Sequence, residues 1–531
     1  MMDMVHFQMH LGFVIVSCLP PGFLIMCARQ TRINIKRYFL EYCRNFVHAC
    51  LNYVAIILIF FLHYVTIEAN LFSEVYMLYR KAYDKLKSWK AQPGKKALCI
   101  QGARQIGKTT VVREFGRAEY DCFVEFNFIL DANARAAFDG KLDADTLIEN
   151  LSALARQPMQ PGRTLILLDE IQECPNARTA IKFLVEDGRF DYVETGSLLG
   201  VKNKKVPSYP VGFEEPYAMY PMDFEEFLMA NGVQKATLSL LQDCYRTKQP
   251  VPEVIHDTIN RLFYSYIIVG GMPNVVQTYV DTHDIGRVLA VQQELLDLYR
   301  QDISQYADPK DRPKIRAIFD SIPAQLNDKN RRFLVNSLRQ TARLERYADS
   351  FNWLVDAGAA LPCYNVTEPK APLKLNEKRN LFKLFAADTG LLCALSMDNI
   401  QFSILQGDMS VNMGSILENM MAQMFTANGF SLHYFDTHKY GELDFVLQNG
   451  TGVDLVEIKS GRDYKRHAAL DKIRQVSEWN ARKSLVFCKG NVQSEDGILY
   501  LPWYMAMFYA QTALPEGLIY QVDLRDRKSV V

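Results

Sequence analysis

The sequence has no net charge and no CxxC pair, and these absences narrow its class. Lys plus Arg equals Asp plus Glu at 60 each, which argues against a chain that coats nucleic acid through charge alone. The eleven cysteines show neither metal-ligand nor disulfide spacing, so we expect a reducing compartment and a cytoplasmic location. The composition, 49% apolar and 23% charged, is typical of a globular protein. A chain of 531 residues predicts about three or four domains.

The N-terminal 76 residues differ from the rest of the chain. Residues 46–67 carry no charged side chain, and as a helix they would span about 33 Å, enough to cross a bilayer. Basic residues flank this run on both sides, including Arg44 and Arg80, so the charges define no single orientation. Two interpretations stay open: a membrane anchor that makes membrane contact, or a leader ahead of a start at Met77. In both, we expect residues 1–76 to contribute nothing to folding of the domains that follow.

A glycine-rich motif follows the apolar run at 97–100 and precedes a helical pattern. It comprises Gly102, Ala103, Arg104, Gln105, Ile106, Gly107, Lys108, Thr109 and Thr110. Strand, glycine-rich loop and helix in this order form a P-loop, whose backbone N–H groups turn towards phosphates. Lys108 is expected to reach the β- and γ-phosphates and Thr109 to hold Mg²⁺. The motif therefore predicts ATP and Mg²⁺ as cofactors.

A second buried strand is predicted at 164–169, and it ends in two acids, Asp169 and Glu170. Asp169 is expected to hold the Mg²⁺ shell, and Glu170 to orient or deprotonate the attacking water. The strand predicted near 190–194 ends in Thr195-Gly196-Ser197. Thr195 or Ser197 is a candidate for sensing the γ-phosphate, and both are also common turn residues.

The C-terminal part contains two strands, 443–448 and 453–459, joined by a turn of Asn449-Gly-Thr-Gly452. Pairing Gln448 with Val453 sets Asp444 opposite Glu457 and Glu442 opposite Lys459. Facing carboxylates repel unless a cation lies between them, which predicts a divalent metal at Asp444 and Glu457. Lys459 would steady a water or phosphate, as in nucleases with an Asp…Glu-x-Lys motif, and Glu418 is a candidate additional ligand.

The middle segment is predicted to be mainly helical, with strand-like runs near 361–366 and 381–387. A helical apolar stripe runs through Leu344, Tyr347, Ala348, Phe351, Leu354 and Val355. Five arginines cluster around these helices: Arg331, Arg332, Arg339, Arg343 and Arg346. They are either a DNA-contacting face of a helix-turn-helix with a wing or an ordinary solvated surface.

These motifs resemble bacterial and archaeal AAA-type ATPases that carry a C-terminal domain of unknown function. The matching stretches include GARQIGKTT at 102–110, LILLDEIQECP at 165–175, TGSLLG at 195–200, MYPMDFEEFL at 219–228, GGMPNVV at 270–276 and KLFAADTGLL at 383–392. The resemblance implies an α/β fold with an additional-strand P-loop core, a helical lid, a winged-helix-like segment and a restriction-endonuclease-like domain. Where many relatives carry an arginine, this chain has Pro210-Val-Gly-Phe213, so an arginine finger would come from Arg189 or a neighbouring subunit of a homo-oligomer.

The expected boundaries are 1–76 for the extension, 77–230 for the ATPase core, 231–395 for the lid and winged-helix-like segment, 396–515 for the nuclease-like domain and 516–531 for a tail. The leading hypothesis is ATP hydrolysis coupled to a nuclease-like module that acts on DNA. The alternatives are a nucleotide-gated switch that binds a protein partner, and a membrane-anchored ATPase.

Overall fold

The computed structural model describes residues 78–197, 206–328, 332–338, 343–396, 401–405, 413–461, 463–512 and 517. The candidate span at 46–67 lies outside these residues. Among the helices within them, none is long and apolar enough to cross a membrane. The chain from Leu78 onward forms one compact unit.

A five-stranded parallel sheet forms the N-terminal part of this unit. Its strands are β1 (Ala97–Gln101), β2 (Cys122–Asn127), β3 (Thr164–Asp169), β4 (Asp191–Gly196) and β5 (Glu214–Ala218). They lie in the order β2-β3-β4-β1-β5, so β4 is inserted between β1 and β3. The inserted strand is the additional strand that the family resemblance implies. All six residues of β3 are buried, as expected for a strand covered on both faces.

Helices cover both faces of this sheet. They are α1 (Lys81–Lys90), α2 (Lys108–Glu119), α3 (Ala132–Ala136), α4 (Ala144–Leu154) and α5 (Pro175–Asp187). Side chains alternate between two hydrophobic clusters: Leu98 and Ile100 pack with α2, whereas Ala97 and Cys99 pack on the side of α4 and α5. Because parallel strands share one direction, the C-terminal ends of β1, β3 and β4 meet at one edge.

The middle segment is helical, as predicted. Its helices are α6 (Phe224–Ala230), α7 (Lys235–Thr247), α8 (Glu253–Val269), α9 (Pro273–Thr282), α10 (Ile285–Tyr306), α11 (Arg312–Asn327), α12 (Val335–Leu338) and α13 (Ala348–Asp356). The predicted stripe is interrupted, since Leu344–Arg346 forms a 3-10 turn and α13 begins at Ala348. The strands β6 (Ala360–Val366) and β7 (Glu377–Ala386) follow as an antiparallel pair.

The hairpin of β6 and β7 is not a free wing, because β6 also pairs with β8 (His433–Thr437). That four-stranded sheet has the order β7-β6-β8-β9, with β9 at Gly441–Leu443. The helices α14 (Thr389–Ser396), α15 (Gln401–Leu405) and α16 (Met413–Ala427) lie between β7 and β8 in the chain. The boundary expected at 395/396 therefore passes between strands of one sheet, which sequence periodicity does not reveal.

A third sheet completes the C-terminal part, together with α17 (Ala468–Ile473). Its strands are β10 (Phe445–Asn449), β11 (Gly452–Ile458), β12 (Ala481–Cys488), β13 (Gln493–Glu495) and β14 (Ile498–Pro502), in the order β10-β11-β12-β14-β13. The predicted pairing of Gln448 with Val453 is confirmed, but the ladder ends at Phe445 and Val456.

The predicted pairing beyond that point is wrong. Glu442 pairs with Asp436 of β8 rather than with Lys459, and Leu443 pairs with Phe435 of the same strand. The chain changes sheets at Asp444, so β9 and β10 are separate strands. A competing partner strand from elsewhere in the chain decides this register, and the hairpin sequence alone carries no sign of it.

Three of the family-like motifs meet at one junction. The carboxylate of Asp388 accepts hydrogen bonds from the N–H groups of Gly271, at 2.6 Å, and Leu391, at 2.9 Å. A Cβ on Gly270 would lie 2.2 Å from Asp388 Oδ1, and one on Gly271 would lie 2.1 Å from the Met222 carbonyl oxygen. The glycines are thus needed for close backbone approach. Burial raises the pKa of Asp388 to about 6.

Candidate functional site

The backbone of the glycine-rich loop adopts the conformation that a phosphate cradle requires. Gly102, Gln105 and Gly107 have φ angles of 151°, 64° and 86°. Gly107 directly precedes α2 as its N-cap residue. A Cβ on Gly102 would lie 2.1 Å from the carbonyl oxygen of Met219, so no larger residue fits there. A glycine-rich loop that leads into a helix N-terminus is an arrangement that can bind an anion.

Lys108 is buried inside this loop. Its Nζ donates hydrogen bonds to the carbonyl oxygens of Gly102, at 3.0 Å, and Ala103, at 2.7 Å. Burial lowers the pKa of Lys108 to about 8, against the opposing fields of Glu170 and Asp169. A buried cation whose hydrogen bonds go to neutral carbonyls is a ready partner for an anion.

Asp169 lies at the end of β3 and receives hydrogen bonds from three elements. Thr109 Oγ1 donates to Oδ1 at 2.8 Å, and the hydroxyl of Thr195, at the tip of β4, donates to the same oxygen. Asn127 Nδ2, at the tip of β2, donates to Oδ2 at 2.7 Å. Asn127 was not among the residues expected here. The one feature of the sequence that could have indicated this role is that Asn127 is a polar residue at the end of the strand next to β3.

Glu170 follows Asp169 with a left-handed backbone, at φ 55° and ψ 47°, which is uncommon for a residue other than glycine. Its Oε2 accepts hydrogen bonds from Gln172 Nε2, at 2.6 Å, and from Ser197 Oγ, at 3.3 Å. The two sensing candidates thus contact different acids: Thr195 contacts Asp169 and Ser197 contacts Glu170.

A buried arginine just before α1 in the chain holds the glycine-rich loop through a hydrogen bond to its backbone. Arg80 Nη1 donates to the carbonyl oxygen of Ile106 at 2.5 Å, and Nη2 donates to that of Tyr220 at 2.7 Å. Its Nε lies 3.2 Å from Glu226, whose carboxylate also closes the capping box of α6 with Asp223. No sequence pattern indicates this role, because an isolated arginine near a helix start matches no motif.

Arg189 does not lie at this site. Its guanidinium pairs with Asp187, at 2.8 Å, and Asp145, at 2.6 Å. Because Arg189 precedes β4 and the phosphate-binding edge lies where β4 ends, its side chain is at the opposite edge of the sheet. Of the two sources left open for an arginine finger, Arg189 acting within its own chain is therefore not supported.

A polar cluster is buried beneath the sheet. Within the described residues, only Cys99, Glu194 and Glu214 bring three potential metal-ligand atoms within 4.8 Å of one another. Both oxygens of Glu194 lack a donor, and burial, reinforced by Glu214, raises the pKa of Glu194 well above its usual range. Arg178 binds both oxygens of Glu214 at 3.1 Å. Arg178 thus compensates the charge of Glu214, and burial favours the neutral form of Glu194.

The C-terminal candidate site is a chain of opposite charges. Lys459 Nζ lies 2.7 Å from Glu457 Oε1, and Asp444 Oδ2 accepts the N–H of Ile458 at 2.8 Å. Burial, and then the charge of Asp444, raises the pKa of Glu457 to about 7. The other oxygen of Glu457 is buried without a donor.

Glu418 extends this chain of charges through a lysine that no sequence motif singled out. Lys383 is fully buried, with Nζ 3.4 Å from Glu418 and 2.6 Å from Glu442. The expected grouping of Glu418 with Asp444 and Glu457 is not formed as a three-ligand cluster within the described residues. The reason is that the Lys383 ammonium group takes the place beside Glu418 that a cation would take.

The arginine cluster of the middle segment is only partly open to a partner. Arg332 pairs with Asp436, while Arg343 and Arg346 are exposed. Arg331 and Arg339 lie outside the described residues.

The parallel sheet with its inserted strand and the P-loop geometry define an AAA-type P-loop ATPase domain. In agreement, residues 94–228 match the model of the family described as AAA domain. Residues 260–401 and 413–505 match two families described as domains of unknown function (DUF8612 and DUF4143). No protein of curated function matches the chain.

Solved structures with similarity to this chain share little sequence with it. The Walker-type ATPase of Pyrococcus abyssi is 13% identical, with a TM-score of 0.36 over 60% of this chain and 95% of that chain. The Thermotoga maritima RuvB Holliday junction branch migration motor is 13% identical, with a TM-score of 0.24 over 53% and 89%. Domain III of the Thermotoga maritima replication initiation protein DnaA is 14% identical, with a TM-score of 0.21 over 44% and 88%. TM-scores this low carry no argument about function.

Proposed function

We propose that this protein binds ATP together with Mg²⁺ at the P-loop and hydrolyses it. The observation that carries the proposal is the contact between Thr109 and Asp169, at 2.8 Å, beside the buried Lys108 ammonium group. A hydroxyl and a carboxylate are the hard oxygen ligands that Mg²⁺ prefers. The residues present therefore fit a Mg²⁺–nucleotide complex.

Each residue has a definite task in this proposal. Lys108 exchanges the carbonyls of Gly102 and Ala103 for the β- and γ-phosphates, which restores a charged partner to a buried cation. Thr109 and Asp169 would hold the metal, which neutralises charge on the phosphates when bound. Glu170, held by Gln172 and Ser197, orients the attacking water and accepts its proton.

Two variants test this function. Lys108→Ala should abolish ATP binding in calorimetry, because it removes the cation aimed at the phosphates. Glu170→Gln should bind ATP and fail to turn it over, because Asp169 and Thr109 are unchanged. Arg117→Ala is a matched control on α2, since Arg117 is exposed in the last turn of this helix, far from the end that follows the P-loop. Wild-type hydrolysis in either site variant would contradict the assignment.

A second function is favoured by the C-terminal charges. We propose that Asp444 and Glu457 bind Mg²⁺ or Mn²⁺ and that Lys459 steadies a water or phosphate in a nuclease-like reaction on DNA. The supporting observation is the number of acids gathered around two lysines: Glu418 and Glu442 lie beside Lys383, and Asp444 and Glu457 lie near Lys459. Mn²⁺ binding that is lost in Asp444→Asn combined with Glu457→Gln, and DNA cleavage lost in Lys459→Ala, would support it. An absence of metal binding outside the P-loop would contradict it.

A further inference from the structure

The P-loop carries a second cation, Arg104, whose partner lies in the helical segment. Arg104 Nη1 donates to Asp302 Oδ1, and Asp302 belongs to α10. On the same helix, Tyr299 OH donates to the carbonyl oxygen of Arg104 at 3.3 Å. One residue of the phosphate loop is thus held through both its side chain and its backbone by a single helix.

The carboxylate of Asp302 is buried, so the strength of its contact with Arg104 depends on whether the carboxylate is charged. Asp302 is 4% exposed, and burial raises its pKa while Arg104 lowers it. Without Arg104, Asp302 would be an uncompensated charge in the interior. The Arg104 side chain itself is 34% exposed and has room to move.

The pair also lies next to the groups assigned to catalysis. The positive charge of Arg104 is among the causes that lower the pKa of Lys108, and the negative charge of Glu170 contributes to the raised pKa of Asp302. Arg104 is two residues after Gly102, within the glycine-rich loop proposed to bind the phosphates. A bound γ-phosphate therefore competes directly with Asp302 for the guanidinium group.

A change at Asp302 can reach the rest of the molecule through α10. Towards the start of this helix, Gln292 Nε2 donates to the carbonyl oxygens of Ile268, at 2.8 Å, and Val269, at 3.0 Å. These two residues lead into Gly270 and Gly271, which pack on Asp388. Towards its end, the Tyr299 ring stacks on Phe319 of α11. The helix thus joins the P-loop to the junction with the C-terminal part.

We propose that Arg104 senses the γ-phosphate of ATP by exchanging Asp302 for it, so that ATP, but not ADP, releases α10 from the P-loop. This inference rests on the proposed ATP site. In this proposal, the arginine that contacts the γ-phosphate comes from the P-loop of the same chain, whereas Arg189 does not supply it. Asp302 and Tyr299 act as positioning residues, because they contact Arg104 rather than the nucleotide.

The test compares ATP and ADP affinity in the full chain with Mg²⁺ present. Arg104→Ala should weaken ATP binding about tenfold or more and leave ADP binding within about twofold, because a charge-assisted bond to the third phosphate is removed. Asp302→Asn should tighten ATP binding by up to about tenfold, because the competing partner is removed. In the Arg104→Ala background, Asp302→Asn should have no further effect on ATP affinity.

Asp297→Asn is the matched control, since Asp297 is an exposed residue of α10 that pairs with Arg300 and faces away from the loop. If Asp302→Asn does not fold, Tyr299→Phe keeps the stacked ring and removes only the bond to Arg104. Hydrogen exchange gives a second readout: a non-hydrolysable ATP analogue, but not ADP, should raise exchange in residues 296–306.

Three results would contradict either the inference or the ATP site on which it rests. Equal loss of ATP and ADP affinity in Arg104→Ala would show that the side chain does not read the third phosphate. An Asp302→Asn variant that behaves as Asp297→Asn would remove the competition with Asp302. A wild-type protein that binds nucleotide no better than Lys108→Ala would refute the ATP site itself, a result distinct from the first two.

Discussion

The P-loop and the C-terminal group of charged residues each bury an ionisable side chain, a basic one at the first site and an acidic one at the second. Lys108 is a buried cation among neutral carbonyls, and its pKa is lowered to about 8. Glu457 is a buried acid in a cluster with more carboxylates than lysines, and its pKa is raised to about 7. Each shift reports the same cost of burying an unbalanced charge. The first site is therefore suited to an anion and the second to a cation.

The largest expected effect tests whether the two sites work separately. Glu170→Gln should lower ATP turnover by about 10²- to 10⁴-fold, the usual contribution of a general base. Asp444→Asn combined with Glu457→Gln should leave turnover within about twofold in the same steady-state assay. A large loss of turnover in the C-terminal double variant would show that the two sites are coupled.

The next effect concerns stability. Lys383→Met removes the buried lysine that lies beside Glu418 and Glu442, and should lower the free energy of unfolding by about 3–5 kcal/mol. Lys108→Met should cost about 1 kcal/mol or less, because it removes a charge that neutral carbonyls compensate poorly. Urea denaturation of both variants measures the contrast, and equal losses would contradict it.

The pH dependence of metal binding sharpens the contrast at the C-terminal site. Because the pKa of Glu457 is raised to about 7, its proton competes with a cation below that pH. Mn²⁺ affinity at this site should fall by up to about tenfold per pH unit below about pH 7. Calorimetry without nucleotide in the Asp169→Asn background, which removes the carboxylate proposed as the P-loop metal ligand, isolates this site, and Glu457→Gln is the control that should bind weakly at every pH.

The pH dependence of folding should run in opposite directions at the two sites. The folded pKa of Glu457 is above its unfolded value, so its contribution to stability is present at low pH and is lost as pH rises from about 4.5 to about 7. The folded pKa of Lys108 is below its unfolded value, so stability rises with pH between about 8 and about 10.5. Urea midpoints of Glu457→Gln and Lys108→Met, relative to wild type across pH, would reveal each slope.

The smallest effect distinguishes a DNA partner from a protein partner. If DNA binds the exposed arginines, Arg343→Ala with Arg346→Ala should weaken DNA stimulation of ATPase turnover and reduce its salt dependence, by about one unit of slope for each phosphate that is no longer bound. Arg246→Ala, an exposed arginine paired with Asp243, is the control. If DNA does not stimulate the wild type at all, a nucleotide-gated protein switch becomes the better explanation.

Local patterns accounted for most of the ATPase part. The strands at 97–101 and 164–169, the loop between 102 and 110 and the helix after it follow from apolar runs, glycines and their order. Each depends on residues close in sequence, which is why it can be predicted. The hairpin turn between Gln448 and Val453 was correct for the same reason.

Contacts between distant residues were decided only in the tertiary structure. The placement of Asn127 on Asp169, Arg104 on Asp302 and Lys383 between two glutamates joins residues that no local pattern relates. The change of sheets at Asp444 likewise depends on β8, which competes for the strand that the hairpin pattern assigns to β11. The sequence by itself determined which chemical groups are present and the order of the P-loop elements. Three-dimensional packing decided which charges face each other, because burial and distance set electrostatic energies and neither is local in sequence.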